Sequence, residues 1–130
     1  MSRIKITAEQ RKDWRNLPYD QWNVLTVQAY FADMNRELFG IESYLPMRNY
    51  GFEQGVIKRA LSEHGAELLK RAFDDCFREY RPTREYPLLT AGFVISYRIN
   101  TIIPRLKAEI KRDEQTKDIT VDFAELAKLL

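Results

Sequence analysis

Cysteine is almost missing from this chain of 130 residues, in which Cys76 stands alone. No disulfide can close within the chain, which points to a reducing compartment. Histidine is equally scarce. With Cys76 and the single His64 twelve residues apart, the usual four ligands of a zinc site are not available. A nucleophile activated by histidine would have only His64 as its base, and no serine partner is evident in the sequence. Glycine-rich phosphate loops, GxSxG and HExxH are absent as well. No apolar run approaches the roughly 20 residues that span a bilayer. The opening MSRIKITAEQRKDW lacks the apolar stretch of a signal peptide. Together these absences predict a cytoplasmic, non-enzymatic protein with no catalytic residues, no metal and no cofactor. Catalysis by carboxylates alone is the one enzymatic route left open.

What is present suits a single globular domain. Hydrophobic residues at 45% and charged residues at 31% supply a core and a polar surface, which separates the chain from disordered sequences. The net charge of +2 conceals an uneven distribution. Residues 1–47 are balanced, residues 48–112 carry thirteen basic side chains against eight acidic, and residues 113–130 carry two against five. The middle is therefore cationic at +5 and the tail anionic at −3, a surface able to attract a polyanion.

The apolar rhythm is helical nearly throughout. Thr7-Ala8-Glu9-Gln10 reads as a capping box opening a short helix that stops before Pro18. A second helix is expected from about Asp20 to Phe39, with Gly40 as its stop, followed by a loop over residues 40–52. A third should run from about Glu53 to Glu63, ending at His64-Gly65. In the next, Leu68, Leu69, Ala72, Phe73, Cys76, Phe77 and Tyr80 form one apolar stripe. After the loop RPTREYP a long helix is predicted from about Thr90 to Asp113, bent or split at Pro104. The chain then divides into a helical domain (1–112), a polar linker (113–120) and a C-terminal amphipathic helix (121–130). A short strand at Arg3–Ile6 is the only strand pattern. The expected fold is all-α, a compact bundle of five or six helices.

Cys76 lies mid-stripe among Phe73, Phe77 and Tyr80 and follows two aspartates, which disfavours the thiolate. It reads as a packed core residue rather than a reactive thiol. The two helices about Gly65 suggest a helix-turn-helix, but the spacing from Ala60 to Gly65 is one residue too long. Asp74, Asp75 and Glu79 would also meet phosphates poorly, so an ordinary helical hairpin is the better reading.

The basic residues carry the functional expectation. Lys70, Arg71, Arg78 and Arg81 fall opposite the apolar stripe. Arg98, Arg105 and Arg112 recur every seven residues on the later helix, with Lys107 and Lys111 nearby. Between the two rows, Tyr80 and Tyr86 bracket Arg81 and Arg84, and Arg48 with Tyr50 repeats the mixture in the earlier loop. Arginine forks suit phosphate, and interleaved rings suit stacked bases. The competing expectation is that the tyrosines anchor a loop and the arginines pair with nearby acids. In the tail, Phe123, Leu126 and Leu130 are candidate partner contacts. That helix has three destinations: its own core, a second protomer, or a partner's groove.

Three segments, YFADMNRELFG, IKRALSEHGAELLKRAFDDCFREY and the Tyr86-Pro87 pair before a long helix, resemble small helical accessory proteins. The likeness is to those of replication and early-gene modules in phages of Gram-positive bacteria, and it covers the middle of the chain. It implies an accessory role near DNA. The leading expectation is a non-enzymatic nucleic-acid-associated protein of replication or transcription, partnered by nucleic acid and a bacterial replication or transcription protein. The alternative is a protein-interaction module, an inhibitor or adaptor of a bacterial enzyme, acting through the Tyr44–Phe52 loop or the C-terminal helix.

Overall fold

A computed structural model describes residues 6–46 and 48–129, with side chains through residue 115. All of its regular elements are helical. Helix α1 (Ala8–Lys12) opens on the expected capping box, with Thr7 and Gln10 each bonding the other's backbone N–H. The second predicted helix starts later than expected. Tyr19–Gln21 form a short 3-10 turn, Trp22 is extended, and Asn23 caps α2 (Val24–Phe39) by a reciprocal exchange with Thr26. Gly40 ends α2 in the left-handed conformation at φ 71°, its N–H donating to the Arg36 carbonyl.

The loop that follows is shorter than expected, because Asn49 accepts from the Phe52 N–H and starts α3 (Tyr50–His64) at Tyr50. Gly65 closes α3 and opens α4 (Ala66–Glu79) at φ 80°, a backbone state only glycine adopts readily. The last helical run opens as α5 (Ala91–Phe93), passes through a π turn (Val94–Arg98), and continues as α6 (Ile99–Leu129). Pro104 lies within α6 and does not split it.

The expected linker over residues 113–120 is helical, and α6 reaches Leu129 without a break. DEQTKDIT contains neither glycine nor proline, so polarity there marks a solvated helix rather than a hinge. The candidate strand Arg3–Ile6 and the tail position Leu130 fall outside the described residues, save Ile6. No described helix is long and apolar enough to cross a membrane.

The core is aromatic. Tyr30 and Phe31 of α2 meet Phe73 and Phe77 of α4, with Phe31 and Phe73 at 4.8 Å between centroids and Tyr30 and Phe77 at 5.7 Å. Trp14, Trp22, Ile57, Leu69, Val94, Ile102, Ile103 and Leu106 close around them. The predicted stripe on α4 is the buried face: Leu69, Ala72, Phe73, Cys76 and Phe77 are buried, with Leu68 and Tyr80 packed at its margins. Helix α6 packs on α4, and α5 on α3. The buried side of α6 ends at Leu106, Ile110 is half-buried, and residues 111–115 are exposed.

Candidate functional site

The segment between α4 and α5 is held from three sides. Tyr80, at the end of α4, donates its hydroxyl to the Tyr86 carbonyl at 2.5 Å and stacks edge-on against Phe39. Thr83 and Tyr86 close a turn, the Thr83 N–H donating to the Tyr86 carbonyl and the Tyr86 N–H to Thr83 Oγ1. Asn35, buried in α2, donates to the Leu89 carbonyl and accepts from the Leu89 N–H, both at 2.8 Å.

The first turn of α5 is fixed in the same manner. The Tyr44 hydroxyl donates to Glu53 Oε1 at 2.6 Å and accepts from the Ala91 N–H at 2.9 Å. Glu53 is fully buried, and its other oxygen lies 3.4 Å from the Gly92 nitrogen. A carboxylate here also complements the positive end of the helix dipole. Burial first, then the Glu53 carboxylate, hold the Tyr44 phenol well above its ordinary range.

These anchors create an open groove of about 580 Å³, lined by Tyr80, Thr83, Glu85, Tyr86, Pro87, Leu88, Thr90, Phe93 and Tyr97. Three of its rings face solvent: Tyr86 is 69% exposed, Tyr97 62% and Phe93 38%. Phe93 and Tyr97 stand one above the other, 5.5 Å between centroids. The π turn sets this face. From Val94 to Ile99 the core side advances five residues, as the Ile99 N–H bonds back to the Val94 carbonyl, so both stay buried while Tyr97 and Arg98 turn outward.

Several predicted phosphate contacts are otherwise engaged. Lys70 is largely covered, bonding Asp74 at 2.8 Å above the rings of Trp14 and Tyr30. Asp74 in turn accepts from the Tyr30 hydroxyl at 2.5 Å. Lys70 does not point away from the body as its place opposite the apolar stripe implied. Arg78 pairs with Asp75 at 3.2 Å, and Arg105 reaches Glu79 at 3.1 Å and Asp75 at 3.8 Å. The two arginine rows therefore adjoin across α4 and α6, but the acids of α4 lie between them. Tyr80 is the loop anchor, so its expected base-stacking role is withdrawn.

Arg71 is exposed beside Tyr19, Asp20, His64 and Ile110 on a different face. Arg112 is exposed and engaged with a neighbour. Arg81 donates to the carbonyls of Arg78 and Tyr80 at 3.3 and 3.4 Å. Among the described residues, Arg81, Arg84 and Arg98 form no ion pair, and all three are exposed. Each adjoins a groove-lining residue in the chain: Arg81 follows Tyr80, Arg84 sits between Thr83 and Glu85, and Arg98 follows Tyr97. Before and at the start of α3, Arg48 lies over Phe52 at 4.9 Å, while Leu45 and Tyr50 are exposed.

Phe93 and Tyr97 are the site residues the sequence reading passed over. Their signal was available: they lie four apart, off the Ile95–Ile99–Ile102 stripe. Cys76 is buried, and that burial, opposed by the nearby Arg98 charge, leaves its thiol pushed up to about 11. His64 sits 3.7 Å from Glu63. Among the described residues no three His, Cys, Asp or Glu side chains gather in a metal-holding group. The side chains of Phe123 and Leu126 lie outside the described set. No family model matches the chain, and no curated protein or solved structure does either.

Proposed function

We propose that this chain is a non-enzymatic nucleic-acid-associated accessory protein of replication or transcription that holds single strands in the aromatic groove. Bases stack on Tyr86, Phe93 and Tyr97, and phosphates meet Arg81, Arg84 and Arg98. The observation supporting this reading is the convergence of three solvent-facing rings on one groove, whose lining residues adjoin in sequence three exposed arginines, Arg81, Arg84 and Arg98, that form no ion pair among the described residues. Every base offers a π-face, so stacking of this kind holds a strand without reading its sequence.

Fluorescence anisotropy of a labelled single-stranded oligonucleotide, titrated across salt, tests the proposal. Three phosphate contacts give a slope of about −2 in log K against log salt. Arg98→Gln should flatten that slope by about 0.7. No binding at low salt contradicts the proposal, as does equal affinity for a blunt duplex, whose bases are not free to stack. The exposed Leu45 and Tyr50 favour the second reading, a protein-interaction module. On that reading Leu45→Asp abolishes capture of the partner, whereas Tyr97→Ala leaves it intact.

A further inference from the structure

We infer that the aromatic groove is also the seat for residues 113–130 of a second copy of this chain, in a two-fold pair whose long helices run antiparallel. This uses the groove described above but does not depend on its binding nucleic acid.

The two surfaces complement each other in charge and in apolarity. The groove is largely aromatic and apolar, with Thr83, Thr90 and Glu85 as its polar non-aromatic members, and Arg81, Arg84 and Arg98 are next in sequence to its lining residues. Residues 113–130 carry five acids, Asp113, Glu114, Asp118, Asp122 and Glu125, against two lysines. Their backbone is helical through Leu129, and Phe123, Leu126 and Leu129 recur every three residues in the sequence. An acidic helix with an apolar row fits an apolar groove with a cationic edge, the groove-docking mode of amphipathic helices.

The chain's own tail does not reach this groove. Phe93 and Tyr97 stand in the opening turns of the same helical run that ends at Leu129. At 1.5 Å per residue, the 26 residues from Tyr97 to Phe123 amount to about 39 Å. Pro104 lies within α6 without splitting it, and a proline kink turns a helix axis without folding it back on itself. A second copy laid antiparallel brings its tail to the groove and offers its own groove in return. The exchange is reciprocal, so the assembly closes at two copies and leaves no open end.

Sedimentation equilibrium of the full chain at low salt, free of nucleic acid, tests this with two charge-reversed variants. The groove variant is Arg84→Glu with Arg98→Glu, and the tail variant is Asp118→Lys with Asp122→Lys. The wild type should sediment at twice its mass of 15.4 kDa. Each variant alone sets like charges against each other and should weaken self-association on the order of 100-fold. Mixed, the two variants restore opposite charges at both contacts and should form a heterodimer. Circular dichroism shows that each variant keeps its helices. If either loses them, Tyr97→Ala in the full chain takes its place and should likewise be monomeric. A monomeric wild type, variants that dimerise as the wild type does, or a folded mixture that stays monomeric each overturns the inference.

Discussion

At Asn35 a single buried carboxamide joins chain segments 54 residues apart, donating to the Leu89 carbonyl and accepting from its N–H. Leu89 is buried, so neither group finds water if the side chain is cut back. Asn35→Ala should cost about 3 kcal/mol in urea denaturation, the penalty of stranding buried polar groups. It should also loosen the groove that Leu88 and Thr90 line. A cost under about 0.5 kcal/mol, the scale of an ordinary surface change, would show that the carboxamide is not the tie. Titratable groups raised by burial shape the alkaline behaviour, Cys76, Tyr30 and Tyr44 among them. The Cys76 thiol ionises near 11 in the folded chain against an ordinary value of 9.0. Burial, reinforced by Asp74 at Tyr30 and by Glu53 at Tyr44, raises both phenols as well. Above about 9.0 the unfolded chain releases protons that the folded chain keeps. The unfolded state then binds fewer protons, so stability is full below that pH and falls as pH rises toward 11. Tm measured across this range should decline, and Cys76→Ala should decline less steeply. A Tm that is flat through it contradicts the burial of these groups.

Among the helices, legibility followed periodicity. The α4 stripe could be read directly, because seven apolar residues at helical steps leave one face to bury. The caps at Asn23 and Asn49 were less visible, since asparagine also opens loops, and the starts of α2 and α3 shifted accordingly. Residues 113–120 are helical where a linker is expected, because a polar stretch looks alike in a linker and in a solvated helix. In the candidate site, Tyr86, Arg81 and Arg84 are legible from their mixture of rings and charge, and Arg98 from the arginine repeat every seven residues. Lys70, Arg78 and Arg105 were not separable from them, because their acidic partners are brought close by packing. Gly65 gives this scale its prediction. A methyl group there meets nothing within 4 Å, so its cost is conformational alone. At φ 80° and ψ 155° the backbone is in glycine's own region, and Gly65→Ala should cost about 1–3 kcal/mol. Gly40, at φ 71° and ψ 19°, sits in the milder left-handed well, and Gly40→Ala should cost about 1 kcal/mol. Thermal melts that rank Gly40→Ala as the more damaging would contradict the shared-cap role of Gly65.

Across the whole molecule, a cationic middle and an anionic tail sit on one chain, at +5 and −3. The long helical run starts at the groove and carries the tail away from it. A single strand and the tail of a second copy would then contend for one surface, and by linkage each weakens the other's hold. The proposed function makes this groove the working face. Ultraviolet crosslinking of a single-stranded oligonucleotide to the full chain, with the attached residues identified by mass spectrometry, tests it most directly. Adducts should fall on Tyr86, Phe93 and Tyr97, and should fade when Tyr97→Ala removes a stacking ring. Adducts concentrated instead beside Arg71 or Arg112, or on residues 44–52, with the three groove rings unmarked, would contradict it.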